Sequence, residues 1–516
     1  MTDRWNRLVV PGLAVVLLVA AQGKAQDHPQ GKPKPEGDGK AKKEVEAPKE
    51  VLSKTSHEIT IQGKAVRYTA TAGNYVLKDE DGNPKANIFF VAYTRDGQSD
   101  PARRPVLFAF NGGPGSSSVW LHLGLFGPRR VQMSNEGWAL PPPGELVDNE
   151  FSLLDATDLV FIDPVTTGYS RAVPTTEDKA YHGFKPDIEA VGEFVRLWTT
   201  RNGRWASPKF LAGESYGTTR AAGLVHHLQE RHGMYFNGVI LISAILNFQT
   251  ARFDIGNDLP HILFLPTYTA TAWFHGRLPP ELGRDLGAIL DQVREFALTD
   301  YTLALARGKD LPAAERAKIV TALARYTGLS PDYLERTNLR IEIDRFTKEL
   351  LRSERRTTGR LDSRFTGMDL DAAGETYEYD PSMAAIRGPY SGALNDYVRR
   401  ELGYESDLPY EILTGRVRPW SYEDFENRYV NVAELLRQAM TTNPKLKVHV
   451  ANGYYDLATP FFATEYTFSH LGLDPELQKN VEMSFYEAGH MMYIHRPSLE
   501  QQRRELEGFL RRALAP

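Results

Sequence analysis

Five short runs in this chain are apolar at neighbouring positions instead of alternate ones: Val106–Phe110 (VLFAF), Asp158–Ile162 (DLVFI), Lys209–Ala212 (KFLA), Gly238–Ala244 (GVILISA) and Lys447–Ala451 (KVHVA). A strand with apolar side chains on both faces must be covered on both faces, which is the condition of parallel strands sandwiched between helices. Between the second and third runs, Ile188, Val191, Val195 and Trp198 recur at helical spacing. Strands alternating with helices specify an α/β fold with a mostly parallel, doubly wound sheet.

Two stretches depart from that rhythm. His57–Tyr93 reads as short antiparallel strands (EITI, VRYTATA, NYVL, ANIFFVAY), broken at Asp81-Gly82-Asn83-Pro84 as a hairpin turn would break them. The acidic cluster Asp79, Glu80, Asp81 beside that turn lacks the spacing of a calcium loop. From about Thr250 to Asn443 strand runs largely vanish, and Gly283–Ala297, Pro312–Tyr326 and Leu339–Leu351 read as amphipathic helices. This stretch is expected to form a helical lid that governs substrate choice more than the chemistry beneath it. The expected organisation is a core over 56–250, a helical lid insertion over 251–443, and the end of the core over 444–516.

The first residues read as an address. Arg4 and Arg7 precede the apolar run Leu8–Ala21, and small residues follow at Ala20, Ala21 and Ala25. At about 14 residues the run is short of the roughly 20 needed to cross a bilayer. Residues 1–25 are therefore expected to be a cleaved export signal that leaves no stable membrane span. The destination would be periplasmic or extracellular. Residues 26–55, rich in Lys, Pro, Glu and Gly, are expected to be a disordered linker. Lys plus Arg number 61 and Asp plus Glu 66, for a net charge of −5, which gives no electrostatic reason to bind nucleic acid. With no cysteine in 516 residues, disulfides, zinc–thiolate sites, iron–sulfur clusters and cysteine nucleophiles are excluded. His226-His227 and His495 lack zinc spacing, so neither metal nor organic cofactor is expected.

The strongest chemical signal is Gly213-Glu214-Ser215-Tyr216-Gly217, placed between the strand KFLA and a helix-like segment over Thr218–Glu230. A serine on a sharp strand-to-helix turn is exposed above a sheet as a nucleophile, and the strained turn needs small residues around it. A second element, Asn111-Gly112-Gly113-Pro114-Gly115-Ser116-Ser117-Ser118, directly follows the strand VLFAF. Glycines there let backbone N–H groups turn toward a developing oxyanion, with Gly113 and Tyr216 as the two expected donors. A flexible Gly/Ser loop is the plainer reading of that segment. A phosphate cradle fits less well, because no lysine follows and the G-x-G-x-x-G order is absent.

Taken in order, NGGPGSSS, FIDPVTTGYS, GESYG, NGYYDLATP and EAGHMMYIHRP resemble the serine carboxypeptidases of the α/β-hydrolase superfamily, over about Pro105 to Pro497. The resemblance implies Ser215 as nucleophile, Asp456 as the triad acid and His490 as the triad base. The chain order Ser, Asp, His agrees with that superfamily. In the family a Trp, an Asn, a Gly and two Glu residues hold the substrate's C-terminal carboxylate. Asn111, Gly112 and Glu214 match three of these positions, whereas Ala109 stands at the Trp position and Leu125 at the second Glu. The family's half-cystine in NGGPG-x-S-S is Ser116 here. Arg129 or Arg130 is a candidate to clamp the carboxylate instead, beside the plainer reading of both as surface arginines. The expected function is a secreted serine carboxypeptidase acting on peptides. An esterase using the same triad is the second reading, and a catalytically silent peptide-binding protein the third. The sequence leaves the oligomeric state open.

Overall fold

The computed structural model describes residues 49–515. The expected export signal (1–25) and most of the expected linker lie outside the described residues. The centre is a ten-stranded sheet. Its main path runs, from edge to edge, Leu52–Ile61, Lys64–Lys78, Pro84–Arg95, Asp158–Ile162, Val106–Phe110, Lys209–Glu214, Gly238–Ile242, Lys447–Gly453 and Val481–Tyr486. From Asp158–Ile162 onward all neighbours on this path are parallel; the first three strands are added antiparallel. This is the mostly parallel α/β sheet expected from the five apolar runs, and it agrees with the α/β-hydrolase fold that the resemblance implies.

Each run is apolar throughout because its two faces serve different cores. In Lys209–Glu214, Phe210 and Ala212 enter one core and Leu211 the other; in Gly238–Ile242, Ile240 and Ile242 oppose Val239 and Leu241. The first core is closed by the C-terminal helix Arg496–Ala513 through Leu499, Leu506, Phe509 and Leu510. The second is closed by Phe184–Arg201 and Tyr216–His232 through Val191, Val195, Leu224 and Val225. Each such aliphatic side chain contributes roughly 1.5–3 kcal/mol by leaving water.

The hairpin expected near Asp81 joins Lys64–Lys78 to Pro84–Arg95. Asp79 is a turn staple: its carboxylate accepts from Asn83 N at 2.8 Å. The first strand, however, begins at Leu52, inside the stretch expected to be disordered to residue 55, and pairs from Leu52↔Gly73 through Thr55↔Ala70. As an edge strand with a mostly solvated face, including Lys54, it can be polar and still pair. That polarity is what made it read as linker.

Within 251–443, the helices Leu259–Phe274, Leu286–Phe296 and Ala313–Thr327 build a third core. The first of these is apolar on all sides and contains Pro260 and Pro266, so it shows neither a stripe nor an unbroken helical pattern. Tyr455, Leu457, Phe461 and Phe462 also belong to this core, although they follow the strand Lys447–Gly453. The helix Ala433–Thr442 instead packs on the sheet's second core with Leu436 and Met440, and Gln229 Nε2 donates to Ala439 O at 3.2 Å.

Candidate active site

Four loops at the C-terminal ends of parallel strands converge, the usual location of a site in such a sheet. They follow Val106–Phe110, Lys209–Glu214, Lys447–Gly453 and Val481–Tyr486, and they carry Asn111–Gly113, Ser215, Asp456 and His490.

Ser215 sits at φ 61° and ψ −130°, between the end of its strand and the start of the helix Tyr216–His232. Such a backbone costs about 1–3 kcal/mol and persists only where its surroundings enforce it. They do so here. Ser215 N donates to Ile242 O at 3.0 Å, and Thr218 N to Ser215 O at 2.8 Å. A Cβ on Gly213 would lie 2.1 Å from Gly217 O, and one on Gly217 2.9 Å from Phe110 O. The two glycines of the motif are therefore where strand, helix and the Asn111 loop touch backbone to backbone.

The Asn111–Gly113 loop backs directly onto this turn, for a Cβ on Gly112 would stand 2.4 Å from Tyr216 N. Gly113 has φ +102°, a conformation that favours glycine. Neither the Gly113 nor the Tyr216 amide is spent on a hydrogen bond among the described residues. Buried Arg220 holds the loop from behind, donating Nη1 to Asn111 O at 2.6 Å and Nε to Asp187 Oδ2 at 2.8 Å. The Asn111 side chain is also fixed: Leu121 N donates to Oδ1 at 3.1 Å, and Nδ2 donates to Glu214 Oε1 at 2.9 Å.

His490 Nδ1 and Asp456 Oδ2 are 2.7 Å apart, with both residues buried. Asp456 also accepts from Ala458 N at 2.8 Å, Thr459 N at 3.0 Å and Thr459 Oγ1 at 2.7 Å. Burial disfavours the His490 cation, but Asp456 outweighs it and holds the pKa above 6.5. This pairing leaves Nε2 as the nitrogen for Ser215. The Ser215–His490 bond is not formed in this conformation, which is common before substrate tightens a site. Both residues line one cavity of about 310 Å³, together with Asn111, Gly112, Gly113 and Glu214. Burial pushes the Glu214 carboxyl up to about 7, against the opposing pull of His490, Tyr493 and Asn111.

Of the residues singled out in the sequence, Ser215, His490, Gly113, Asn111, Gly112 and Glu214 line this one space, while Asp456 reaches it through His490 and the Tyr216 amide lies directly behind Gly112. One expectation fares differently. Arg129 pairs with Asp148 at 2.6 Å and Glu401 at 3.4 Å, and Arg130 with Glu150 at 3.5 Å. Neither arginine lines the cavity, so neither is a carboxylate clamp; neighbouring acids have taken their charge. Two stretches of the insertion expected to act as a lid are bonded directly to the loops of the site. In 359–365, Arg360 O accepts from Leu457 N at 3.1 Å, Leu361 O from His490 N at 2.7 Å, and Asp362 Oδ2 from Gly489 N at 2.9 Å. In 411–418, Ile412 O accepts from Ser117 N, and Thr414 N donates to Gly115 O, both at 2.9 Å. Ser116, at the family's half-cystine position, meets Leu413 in the same bridge.

Several contributors had no sequence signal strong enough to single them out. Tyr493 donates to Glu214 Oε2 at 2.5 Å, and Ser243 Oγ to His490 O at 2.7 Å. Trp120 lines the cavity with its Nε1 on Ser116 Oγ at 2.9 Å. Ala109 and Leu125 are buried in the first core and do not line the cavity. Among the described residues no group of three His, Cys, Asp or Glu could hold a metal ion.

Comparison with known proteins agrees with this geometry. A model of the family described as "Serine carboxypeptidase" matches residues 63–496. Serine carboxypeptidase-like 9 of Arabidopsis thaliana is 26% identical over 186 residues, 34% of this chain and 38% of the relative. Pheromone-processing carboxypeptidase KEX1 of Saccharomyces cerevisiae (strain JAY291) is 34% identical over 126 residues, 23% of this chain and 16% of the relative. The chain thus spans well under half the length of these relatives. The crystal structure of Kex1(Δ)p, a prohormone-processing carboxypeptidase from Saccharomyces cerevisiae, superimposes with a TM-score of 0.53 at 16% identity, over 86% of this chain and 91% of that one. A family match over residues 63–496, most of the chain, leads to one conclusion: this chain belongs to the serine carboxypeptidase family.

Proposed function

We propose that the protein is an exported serine carboxypeptidase that removes residues from the C-terminus of peptides through an acyl-enzyme. His490 Nε2 takes the proton of Ser215 as the hydroxyl attacks the last peptide bond. Asp456 holds the imidazole tautomer and stabilises the imidazolium. The Gly113 and Tyr216 amides receive the oxyanion. His490 then returns the proton to the leaving amine, and a water molecule repeats the sequence to free the acid. Neither metal nor organic cofactor takes part in these steps.

The observation that carries the exopeptidase reading is the Asn111–Glu214–Tyr493 cluster opening on the same cavity as Ser215. With its pKa at about 7, Glu214 keeps its proton in mildly acidic solution and can donate it to a substrate carboxylate. The esterase reading retains one observation in its favour: with Leu125 buried at the second Glu position, Glu214 is the sole acid lining this cavity.

Export is supported by the basic–apolar–small pattern of residues 1–25. Among the described residues no helix is long and apolar enough to cross a membrane. The function is tested by digesting free-acid peptides and their C-terminal amides and following single-residue losses by mass spectrometry. Stepwise loss from the free acids alone is the expected result. Equal cleavage of the amides, or hydrolysis of esters without any peptide release, would refute the carboxypeptidase assignment.

A further inference from the structure

Two arginines border the catalytic cavity without an ion pair among the described residues. Arg360 and Arg418 both line it, and among the described residues neither guanidinium has an ion-pair or hydrogen-bond partner. Their neighbours in sequence are paired. Arg364 forks onto Asp362, with Nη2 to Oδ2 at 2.6 Å, and Arg416 reaches Asp178 at 2.9 Å and Glu411 at 3.5 Å. The two that line the cavity with Ser215, half-buried Arg360 and exposed Arg418, are left open. Arg360 is half-buried, so its side chain has given up rotamer freedom along the cavity wall; the neighbouring Asp380 accepts from the Arg360 backbone N at 3.2 Å and is spent on the Leu361, Ser382 and Met383 amides.

The two line the same cavity, and each is carried by a strap of the insertion that is bonded to a different loop of the site. Arg360 is on the side of the acid and base, where its own carbonyl and that of Leu361 receive the Leu457 and His490 amides. Its charge reaches His490 and opposes protonation there. Arg418 is on the oxyanion side, on the strap that bonds Gly115 and Ser117, and it also borders a second hollow with Gly113, Pro114 and Trp420. Glu214 is the one acid lining the catalytic cavity, and it is already bonded to Asn111 and Tyr493. Asp456 is behind His490 and faces its Nδ1. The open part of the cavity therefore presents two permanent positive charges on backbones fixed before substrate arrives, the arrangement that recognises a carboxylate.

We propose that Arg360 and Arg418 are specificity-determining residues that bind a side-chain carboxylate of the substrate, selecting peptides with Asp or Glu next to the bond that is cut. The α-carboxylate is left to the Asn111–Glu214 corner. This inference rests on the peptidase reading above, and the test keeps the two apart.

The experiment compares free-acid peptides that differ only by Glu or Gln at each of the last two positions, their C-terminal amides, and a pair of esters with a glutamyl or glutaminyl acyl group. The readout is the Glu:Gln ratio of kcat/KM within each enzyme, so that a general loss of activity or folding divides out. In the parent enzyme the ratio is expected to be about tenfold at one position, and to fall as salt is raised. Arg360→Gln should bring it close to one, Arg418→Gln should lower it in part, and Arg360→Lys should restore part of it. A parent ratio near one at both positions, or a ratio unmoved in both Gln variants, overturns the proposal. Loss of free-acid over amide discrimination in Arg360→Gln, with the Glu:Gln ratio intact, also overturns it and moves the arginine to the α-carboxylate. If esters are cleaved and no peptide is, the peptidase reading falls, while the ester pair still decides the role of the arginines.

Discussion

The catalytic cavity is built by two regions of different character. One is the sheet, whose strand ends deliver Ser215, Asp456, His490 and the Asn111–Gly113 loop through parallel pairing and backbone-to-backbone contact. The other is the pair of straps, 359–365 and 411–418, which come from the insertion and grip the same loops from outside. In the sheet, position follows from strand register: Ile242 pairs with Glu214, so its carbonyl is in place for Ser215 N. In the straps, position depends on a few bonds between segments far apart in sequence, such as Asp362 to Gly489 across 127 residues. The sheet therefore sets which groups are present, and the straps set how firmly the acid and base loops are held. If the straps hold the His490 loop in place, exchanging the lid should alter the chemistry as well as substrate choice.

This comparison can be broken in order of expected effect. Ser215→Ala removes the only proposed covalent acceptor and should lower kcat by at least about 10⁴-fold, with folding retained, as judged by far-UV circular dichroism and turnover of an activated ester. Turnover near the parent rate would place the nucleophile elsewhere.

Next comes the strap. Asp362→Ala removes the acceptor for Gly489 N and strands the buried guanidinium of Arg364, which should cost about 3–5 kcal/mol in a denaturant titration. If the strap positions His490, the variant should also lose about tenfold in ester kcat and shift the acidic limb of its pH profile, because the imidazole is no longer held against Asp456. A stability loss with an unchanged limb would make Asp362 structural only.

Glu214→Gln tests the sheet side through pH. The folded pKa of Glu214, about 7, lies above its ordinary value of 4.5, so the protonated form is favoured in the fold. Its stabilising influence is complete below 4.5 and is lost as pH rises through about 7. Replacement by Gln should therefore stabilise the protein more at pH 8 than at pH 4, by up to about 3 kcal/mol at 1.36 kcal/mol per unit. In the parent, cleavage of free-acid peptides should fall on the alkaline side as Glu214 becomes an anion, and on the acid side as His490 gains its proton. In Glu214→Gln the alkaline fall should disappear. Coincident pH profiles for free-acid and uncharged substrates in the parent would show that Glu214 does not meet a carboxylate.

The smallest effect is expected within the insertion but away from the straps. Leu303 is exposed in Thr302–Arg307, and Leu303→Ser should change stability by no more than about 0.5 kcal/mol and leave ester kinetics alone. A marked kinetic effect there would mean that the whole insertion, and not the straps alone, tunes the site.

What could be read from the sequence follows the same division. The strand ends were legible because Val106–Phe110 and Asp158–Ile162 are continuous apolar runs, and because the glycines of the elbow are demanded by contacts that tolerate no Cβ. Ser215, Asp456 and His490 each sit in a motif that follows such a run or closes the chain's last strand. The straps were not legible: Arg360 and Arg418 lie in segments without periodicity, and their function is created by backbone bonds that composition does not encode. Tyr493 stood in plain view three residues after His490, but its bond to Glu214 needs the fold to bring 279 positions of separation down to 2.5 Å. The edge strand at Leu52 was hidden by its own solvent-facing lysine and threonines.

The most direct test of the central claim is trapping. The protein would be incubated with a reactive phosphonate ester, the adduct located by peptide mapping, and the release of C-terminal residues measured in the same samples. The account requires one adduct per chain, on Ser215, formed in step with the loss of release and absent from Ser215→Ala. An adduct on another residue, or undiminished release after Ser215 is fully modified, would contradict it.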